Sequence, residues 1–252
     1  MRHLLECWSE VASRLRKAEA IALFLDFDGT LVPFRLRPEQ VRLSPSTRQA
    51  LRTLVRRPSL RVWVISGRRQ ADVRSRIGVP DVRCLGLYGW ENGNNGRLSE
   101  SAAAKLEQAR SALVAGLQPV TGVWVEDKGA AVALHFRDAP AESVRRARAV
   151  LDRALQPLGA GLRVIDEEQA WVVAPPEIKG KGGVAREQWH AFDPRALPVY
   201  VGDGATDEPA FEALTQGVTV CVGPRRPTRA RFRLRGPAEV RAFLERLEAE
   251  WR

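Results

Sequence analysis

The sequence predicts an α/β protein whose doubly wound parallel sheet is interrupted by a second domain of the α+β class. Short apolar runs such as Ile21–Leu25 are typical of strands buried on both faces, and helical patterns separate these runs along the chain. Between residues 97 and 175 the order changes to helix, strand, strand, twice over. We therefore predict a core formed by residues 1–96 and 176–252, with residues 97–175 inserted as a second domain.

Each core element is justified by its own pattern. An amphipathic helix is predicted over Leu4–Lys17, since its apolar residues recur at helical spacing. Nearly continuous apolar runs predict five buried strands: Ile21–Leu25, Leu60–Ile65, Val82–Leu87, Leu197–Val201 and Val218–Val222. Helical patterns that follow turns predict the remaining core helices: Ser46–Val55, Gln70–Ile77, Gly183–Ala191, Asp207–Leu214 and Pro237–Trp251.

The inserted domain has a different order of predicted helices and strands. Two helices are predicted there, at Ser101–Leu117 and Ala141–Leu158. The strand-like runs that follow them come in pairs: Val123–Glu126 with Ala130–Phe136, and Gly161–Ile165 with Ala170–Ala174. The turn residues Asp127-Lys128-Gly129 divide the first pair, which is typical of a hairpin and hence of an antiparallel sheet.

The composition limits the class of protein. Hydrophobic residues make up 44% and charged residues 28% of the 252 residues, which is ordinary for a soluble globular chain. No apolar run approaches the roughly 20 residues of a membrane span, and the charged N-terminus argues against a secretory signal. Three scattered cysteines, Cys7, Cys84 and Cys221, predict reduced thiols rather than disulfides. We expect a cytoplasmic monomer that binds no membrane.

The charge balance indicates an anionic partner. Forty basic residues against 30 acidic ones give a net charge of +10, which suits nucleic acid, an acidic membrane surface or a phosphorylated substrate. The densest basic patch, Arg225–Arg235, alternates arginine with apolar residues from Arg229 onward, as expected of a strand with one solvated face. The hypothesis of a nucleic-acid-binding module is therefore supported by charge alone, and we expect no nucleic-acid partner.

Two carboxylates follow the first buried strand. Asp26 and Asp28 lie two residues apart in Asp-Phe-Asp-Gly-Thr, so both side chains could face one pocket at the carboxyl end of the sheet. Such a pair requires a proton or a cation, and oxygen ligands suit Mg²⁺. A carboxylate can also attack phosphorus to form an aspartyl-phosphate.

Three further motifs occur at other strand ends and helix starts. Ser66-Gly67-Arg68 supplies a hydroxyl, a flexible glycine and a guanidinium, which suit a phosphate. Lys179 and Lys181 open a helix in a chain with only five lysines. Acidic residues from Asp203 to Asp207 follow a later strand and suit Mg²⁺.

This order of motifs resembles the haloacid dehalogenase-like phosphohydrolases. The resemblance implies Asp26 as nucleophile, Asp28 as general acid and base, and Ser66 with a lysine as phosphate-holding residues. It also implies Mg²⁺ held by Asp26, by the Asp28 carbonyl and by Asp203, with Asp207 supporting the metal shell. Lys181 fits the pattern better than Lys179, because Gly182 and an apolar residue follow it.

The insert resembles the cap of trehalose-6-phosphate phosphatases. Glu126-Asp127-Lys128, followed by His135-Phe136-Arg137, matches a Glu-x-Lys that holds the sugar in that family. The resemblance thus implies a substrate-binding set: Gly67, Arg68, Gly89, Glu126 and Lys128. A hairpin salt bridge between Glu126 and Lys128 is the structural alternative.

Two positions depart from the family pattern. Tyr88 replaces a usual histidine before Gly89, and Ala174 stands where a sugar-binding glutamate is usual, with Glu177 three residues away. We therefore expect a Mg²⁺-dependent phosphatase that acts on a small sugar phosphate, with trehalose 6-phosphate favoured. Sucrose phosphate and glycosyl-phosphoglycerate remain as alternative substrates.

Overall fold

The computed structural model describes residues 1–34, 41–93, 97–118 and 120–251. The chain divides into two compact units, Met1–Asn94 with Lys179–Arg252, and Asn95–Ile178. A parallel sheet lies in the first unit and an antiparallel sheet lies in the second. The predicted fold class, a parallel α/β core with a separate α+β domain, is confirmed.

Within the described ranges, the first unit contains a seven-stranded, wholly parallel sheet with the order β1-β11-β10-β9-β2-β3-β4. Its strands are β1 (Arg2–His3), β2 (Ile21–Leu25), β3 (Leu60–Ile65), β4 (Arg83–Leu85), β9 (Leu197–Gly202), β10 (Val218–Val222) and β11 (Phe232–Leu234). Its helices are α1 (Trp8–Lys17), α2 (Pro45–Leu54), α3 (Gln70–Ile77), α6 (Gly180–Phe192), α7 (Glu208–Ala213) and α8 (Pro237–Glu250).

Both faces of this sheet are covered, which explains why its central strands are apolar throughout. Leu23 and Leu25 of β2 belong to the core cluster that α1, α2, α3 and α8 cover. Ala22 and Phe24 point to the opposite face and pack with residues of α6 and α7. Strand alternation therefore buries every residue of β2.

The strand order brings three polar strand ends together. β2 lies between β9 and β3, with Leu25 in register with both Val201 and Val64. The residues that follow β2, β3 and β9 therefore share one edge of the sheet, the edge at which ligands of parallel sheets bind.

The second unit contains an antiparallel sheet with the order β5-β6-β8-β7. Its elements are α4 (Glu100–Leu117), β5 (Trp124–Asp127), β6 (Val132–His135), α5 (Ala141–Leu155), β7 (Arg163–Glu167) and β8 (Ala170–Ala174). Leu134 and Val173 pack with Leu113 of α4 and Leu151 of α5 in a separate core cluster. The two helices thus cover one face of this sheet.

Several predicted bounds were wrong. The first helix begins at Trp8 rather than Leu4, because Arg2–His3 pairs as a strand with β11. The strand in the arginine-rich segment is limited to Phe232–Leu234, and Arg229 and Arg235 pair with Glu212 and Glu239 instead. In that segment, charge is partly balanced by nearby carboxylates.

The structure also bears on two expectations from the sequence, membrane spans and disulfides. The helices of the described ranges include none with the length and apolar character needed to cross a membrane. All three cysteines are free thiols, and Cys84 and Cys221 are buried.

Candidate active site

Asp26 lies at the carboxyl end of β2, where its backbone N–H donates to the Val201 carbonyl of β9 at 2.9 Å. Asp26 is buried, with 4% of its surface exposed. The Lys181 ammonium lies 2.7 Å from Asp26 Oδ1, and Thr30 Oγ1 donates to Oδ2 at 3.3 Å. A buried carboxylate is thus fixed at the sheet edge by a buried cation.

Lys181 reaches this position because α6 begins one residue before it. Gly180 has a φ of +82°, which glycine adopts without strain. A Cβ at Gly182 would overlap with the backbone of Pro209 and Ala210, so glycine allows α6 to approach α7 closely. Lys179 lies instead on the surface and pairs with Glu187.

Asp207 accepts three hydrogen bonds and is fully buried. The donors are Lys181 Nζ at 2.9 Å, the Tyr200 hydroxyl at 2.7 Å and the Gly204 N–H at 2.9 Å. Its oxygens are therefore committed to donors from the protein. This arrangement suits a residue that orients Lys181 and supports a metal site.

Asp203 lies against the loop after β2. A Cβ at Gly29 would overlap with Asp203 Oδ2, and Gly29 has a φ of +78°. Glycine is therefore required between the two acidic motifs. Arg226 donates to the Asp203 carbonyl at 2.7 Å and holds the backbone of this turn.

The acidic cluster carries more negative charge than its one ammonium balances. Burial raises the pKa of Asp203, and the neighbouring carboxylates of Asp26 and Asp207 raise it further. Burial also raises the pKa of Asp26, although Lys181 opposes this shift. Burial acts to lower the pKa of Lys181, but Asp207 and Asp26 together raise it above its usual value, so the ammonium stays protonated.

Three carboxylates in the described ranges are grouped closely enough to hold a metal ion. One oxygen from each of Asp26, Asp203 and Asp207 lies within 4.8 Å of the others. The excess negative charge and the all-oxygen donor set fit a hard divalent cation such as Mg²⁺. Because Asp207 already accepts from three donors, Asp26 and Asp203 are the better direct ligands.

The Asp28 carboxylate does not belong to this cluster. Arg68 holds it with two parallel hydrogen bonds, Nε to Oδ2 at 2.6 Å and Nη2 to Oδ1 at 2.8 Å. The same guanidinium donates to Asp72 at 2.8 Å, and the two carboxylates raise the pKa of Arg68 against the effect of burial. Arg68, expected to bind substrate, thus pairs with Asp28 and Asp72.

Ser66 is buried at the end of β3, and its Oγ accepts from the Arg68 N–H at 3.2 Å across Gly67. The Ser66 carbonyl accepts from the Tyr88 N–H at 2.8 Å. Tyr88 has a φ of +57°, a conformation that side chains rarely adopt. Next to it, a Cβ at Gly89 would overlap with Val184 of α6, so this glycine serves close packing.

The predicted sugar-binding pair lies in the second unit. Glu126 Oε2 is 2.8 Å from His135 Nε2 and 3.8 Å from Lys128 Nζ, so the hairpin ion pair considered from the sequence is present. Ala174 is buried at the end of β8. Glu177 Oε1 accepts from the Ser99 hydroxyl at 2.9 Å.

Sequence reasoning missed three contributors to these sites. Tyr200 and Arg226 contact the acidic turn after β9, and Trp124 stacks on His135 in the second unit. Tyr200 offered one signal, a hydroxyl inside an otherwise apolar strand. The other two depend on which segments pair in space, which the sequence pattern does not show.

Comparison with known proteins places this geometry in a family. The family model described as trehalose-phosphatase matches residues 24–238. A trehalose-phosphate phosphatase of Mycobacterium tuberculosis is 34% identical over 246 residues, which cover 92% of this chain and 62% of that protein. The chain therefore spans less than two thirds of that relative's length.

Two solved structures share the fold. The C-terminal domain of Candida albicans trehalose-6-phosphate phosphatase has a TM-score of 0.82 at 21% identity, covering 96% of each chain. A haloacid dehalogenase-like hydrolase from Bacteroides thetaiotaomicron has a TM-score of 0.65 at 14% identity, covering 91% of this chain and 100% of that one. Because the family model matches residues 24–238, the chain belongs to the trehalose-phosphatase family.

Proposed function

We propose that this chain is a Mg²⁺-dependent phosphatase that hydrolyses trehalose 6-phosphate to trehalose and phosphate. The observation that carries the proposal is the buried Asp26 carboxylate, held by Lys181 at 2.7 Å beside the acidic cluster at the carboxyl edge of the sheet. The family match and the similarity to a trehalose-phosphate phosphatase support the choice of sugar.

Asp26 acts as the nucleophile in this proposal. Its carboxylate oxygen forms a bond to phosphorus, and the bond between phosphorus and the sugar oxygen breaks. Asp28 gives a proton to the departing sugar oxygen. Asp28 then takes a proton from water as that water attacks phosphorus, which breaks the bond to Asp26 and releases phosphate.

Lys181 and Ser66 hold the phosphoryl group. The ammonium of Lys181 stays positive next to two carboxylates and offsets charge on the phosphoryl oxygens. Lys179 does not share this role in the proposal, because its ammonium pairs with Glu187 on the surface.

A bound Mg²⁺ would offset negative charge on the phosphoryl group as it is transferred. Asp26, Asp203 and the Asp28 carbonyl would hold the ion, and Asp207 would support them through its hydrogen bonds to Lys181 and Gly204. The charge excess of the acidic cluster is the observation that supports this assignment.

The second unit supplies sugar recognition in the proposal, as a cap formed by residues 97–175. Glu126 offers an acceptor and Lys128 a donor at 3.8 Å separation, which matches the mixed polarity of sugar hydroxyls. The last residue of β8 supports a second candidate substrate. Because Ala174 offers no side-chain acceptor there, another sugar phosphate, such as sucrose phosphate or glycosyl-phosphoglycerate, is the alternative substrate.

A phosphate-release screen over about a dozen sugar phosphates tests this function. The purified protein is stripped with chelator and assayed with and without added Mg²⁺. We expect the highest kcat/KM with trehalose 6-phosphate and no activity before Mg²⁺ returns. Full activity in excess chelator would show that the reaction does not require Mg²⁺. A higher kcat/KM on another sugar phosphate would show that trehalose 6-phosphate is not the preferred substrate.

A further inference from the structure

The largest exposed aromatic side chain in the described ranges lies in the second unit, at the start of β5. Trp124 is 55% exposed. It lies two residues before Glu126, so both side chains are on the same face of the strand, while Val125 between them packs toward the helices. An indole therefore stands beside the Glu126 carboxylate.

The indole is held in place by its neighbour across the strand pair. Trp124 is in register with His135 of β6, and the two rings stack with centroids 4.0 Å apart at an interplanar angle of 17°. His135 Nε2 lies 2.8 Å from Glu126 Oε2, which fixes the imidazole. The stack and this contact together favour one orientation of the indole.

The exposed indole and its polar neighbours together suit one class of ligand, a sugar ring. Leaving so large an apolar surface in water opposes stability, and a smaller side chain could cover one face of an imidazole. The surroundings combine a flat apolar face with the acceptor of Glu126 and the ammonium of Lys128. A pyranose ring has the matching character, because its C–H groups form an apolar face and its hydroxyls lie at the rim.

We propose that Trp124 is a specificity-determining residue that stacks on a pyranose ring of the substrate while Glu126 and Lys128 bind its hydroxyls. This inference rests on the proposed function, since it assigns the sugar contact of the same phosphatase. It adds a residue outside the Glu-x-Lys motif, and it predicts that aromatic character, rather than bulk, matters at position 124.

The test compares Trp124→Ala, Trp124→Leu and Trp124→Phe with wild type on trehalose 6-phosphate and on p-nitrophenyl phosphate. We expect the Ala and Leu variants to lose about tenfold or more in kcat/KM for the sugar phosphate, as expected for a lost aromatic contact. The Phe variant should retain most of it, and p-nitrophenyl phosphate hydrolysis should stay near wild type. Val114→Ala, which truncates another exposed apolar residue of this unit, should change neither activity.

Direct binding gives a second readout. Trehalose should change the tryptophan fluorescence of wild type in a saturable way, and this change should be absent in Trp124→Phe.

Unchanged kcat/KM for the sugar phosphate in Trp124→Ala would overturn the inference while leaving the proposed function intact. Equal loss on both substrates would also overturn it, because the indole would then only support the fold. Failure of the proposed function is seen separately, in wild type, as an absence of phosphate release from trehalose 6-phosphate. In that case the Trp124 variants are assayed on the sugar phosphate that wild type hydrolyses with the highest kcat/KM. The same pattern of losses then tests whether Trp124 contacts the sugar.

Discussion

Lys181 joins Asp26 to Asp207 through a single buried ammonium, with Nζ 2.7 Å from one carboxylate and 2.9 Å from the other. Replacing it with Met would leave two buried carboxylates without their cation. We expect Lys181→Met to lower the free energy of unfolding by about 3–5 kcal/mol, measured by denaturant titration, and to abolish phosphate release.

Lys179→Met is the matched control, because it removes an equivalent side chain two residues away. Its pair with Glu187 is exposed, and exposed pairs contribute little to stability. Stability and activity should stay near wild type. If Lys179→Met abolished activity while Lys181→Met kept it, the assignment of the phosphate-holding lysine would be reversed.

The charge excess around Asp203 makes stability depend on pH and on metal. The pKa of Asp203 is raised in the folded protein, so without metal the fold retains a proton that the unfolded chain has released. Stability of the metal-free protein therefore falls as pH rises from the ordinary carboxyl range toward the raised pKa. Asp203→Asn should show a smaller fall in Tm between pH 5 and pH 8.

Added Mg²⁺ provides the second half of that experiment. It should raise the Tm of wild type at pH 8 by occupying the acidic cluster, and it should leave the Tm of Asp203→Asn nearly unchanged. An equal rise in both proteins would show that Asp203 does not hold the ion.

Arg68 positions Asp28 through a two-point contact that lysine cannot reproduce. We expect Arg68→Lys to lower kcat on trehalose 6-phosphate by about tenfold or more, with a smaller change in KM, because the proton-transfer group is misplaced. Arg76→Lys is the control, since Arg76 also pairs with Asp72 but does not contact Asp28. A raised KM with unchanged kcat would instead indicate that Arg68 binds the phosphate.

Substitutions at Glu126 and Lys128 test whether these residues bind the sugar without taking part in phosphoryl transfer. If they bind the sugar, Glu126→Ala and Lys128→Ala should lower kcat/KM for trehalose 6-phosphate by ~10²-fold or more, because remote binding energy is used in the transition state. Hydrolysis of p-nitrophenyl phosphate should remain nearly unchanged. Equal losses on both substrates would favour the purely structural ion pair, and no loss on either would leave Glu177 as the next candidate.

The positions of Asp26, Ser66 and Asp203 could be predicted because each directly follows an apolar strand of a parallel sheet. The choice between Lys179 and Lys181 could not be settled by spacing. It depends on where α6 begins, since residues two apart on a helix lie about 200° apart around its axis.

Contacts between segments that are distant in the chain could not be predicted from the sequence pattern. The Arg68–Asp28 pair requires β2 and β3 to be neighbours, and the Trp124–His135 stack requires one particular register of β5 on β6. A shift of one residue would turn Trp124 to the other face of the sheet. The N-terminal strand Arg2–His3 is too short to show any periodicity.

Phosphate release by wild type and Asp26→Asn, assayed side by side on trehalose 6-phosphate with Mg²⁺, is the decisive test of Asp26 as the nucleophile. The amide is nearly isosteric with the carboxylate, and matching circular dichroism spectra would show that the fold is kept. We expect rapid release by wild type and less than about a hundredth of its kcat in the variant, a loss of at least ~2.7 kcal/mol in transition-state stabilisation. A variant that kept a comparable kcat would contradict the assignment of Asp26 as the nucleophile.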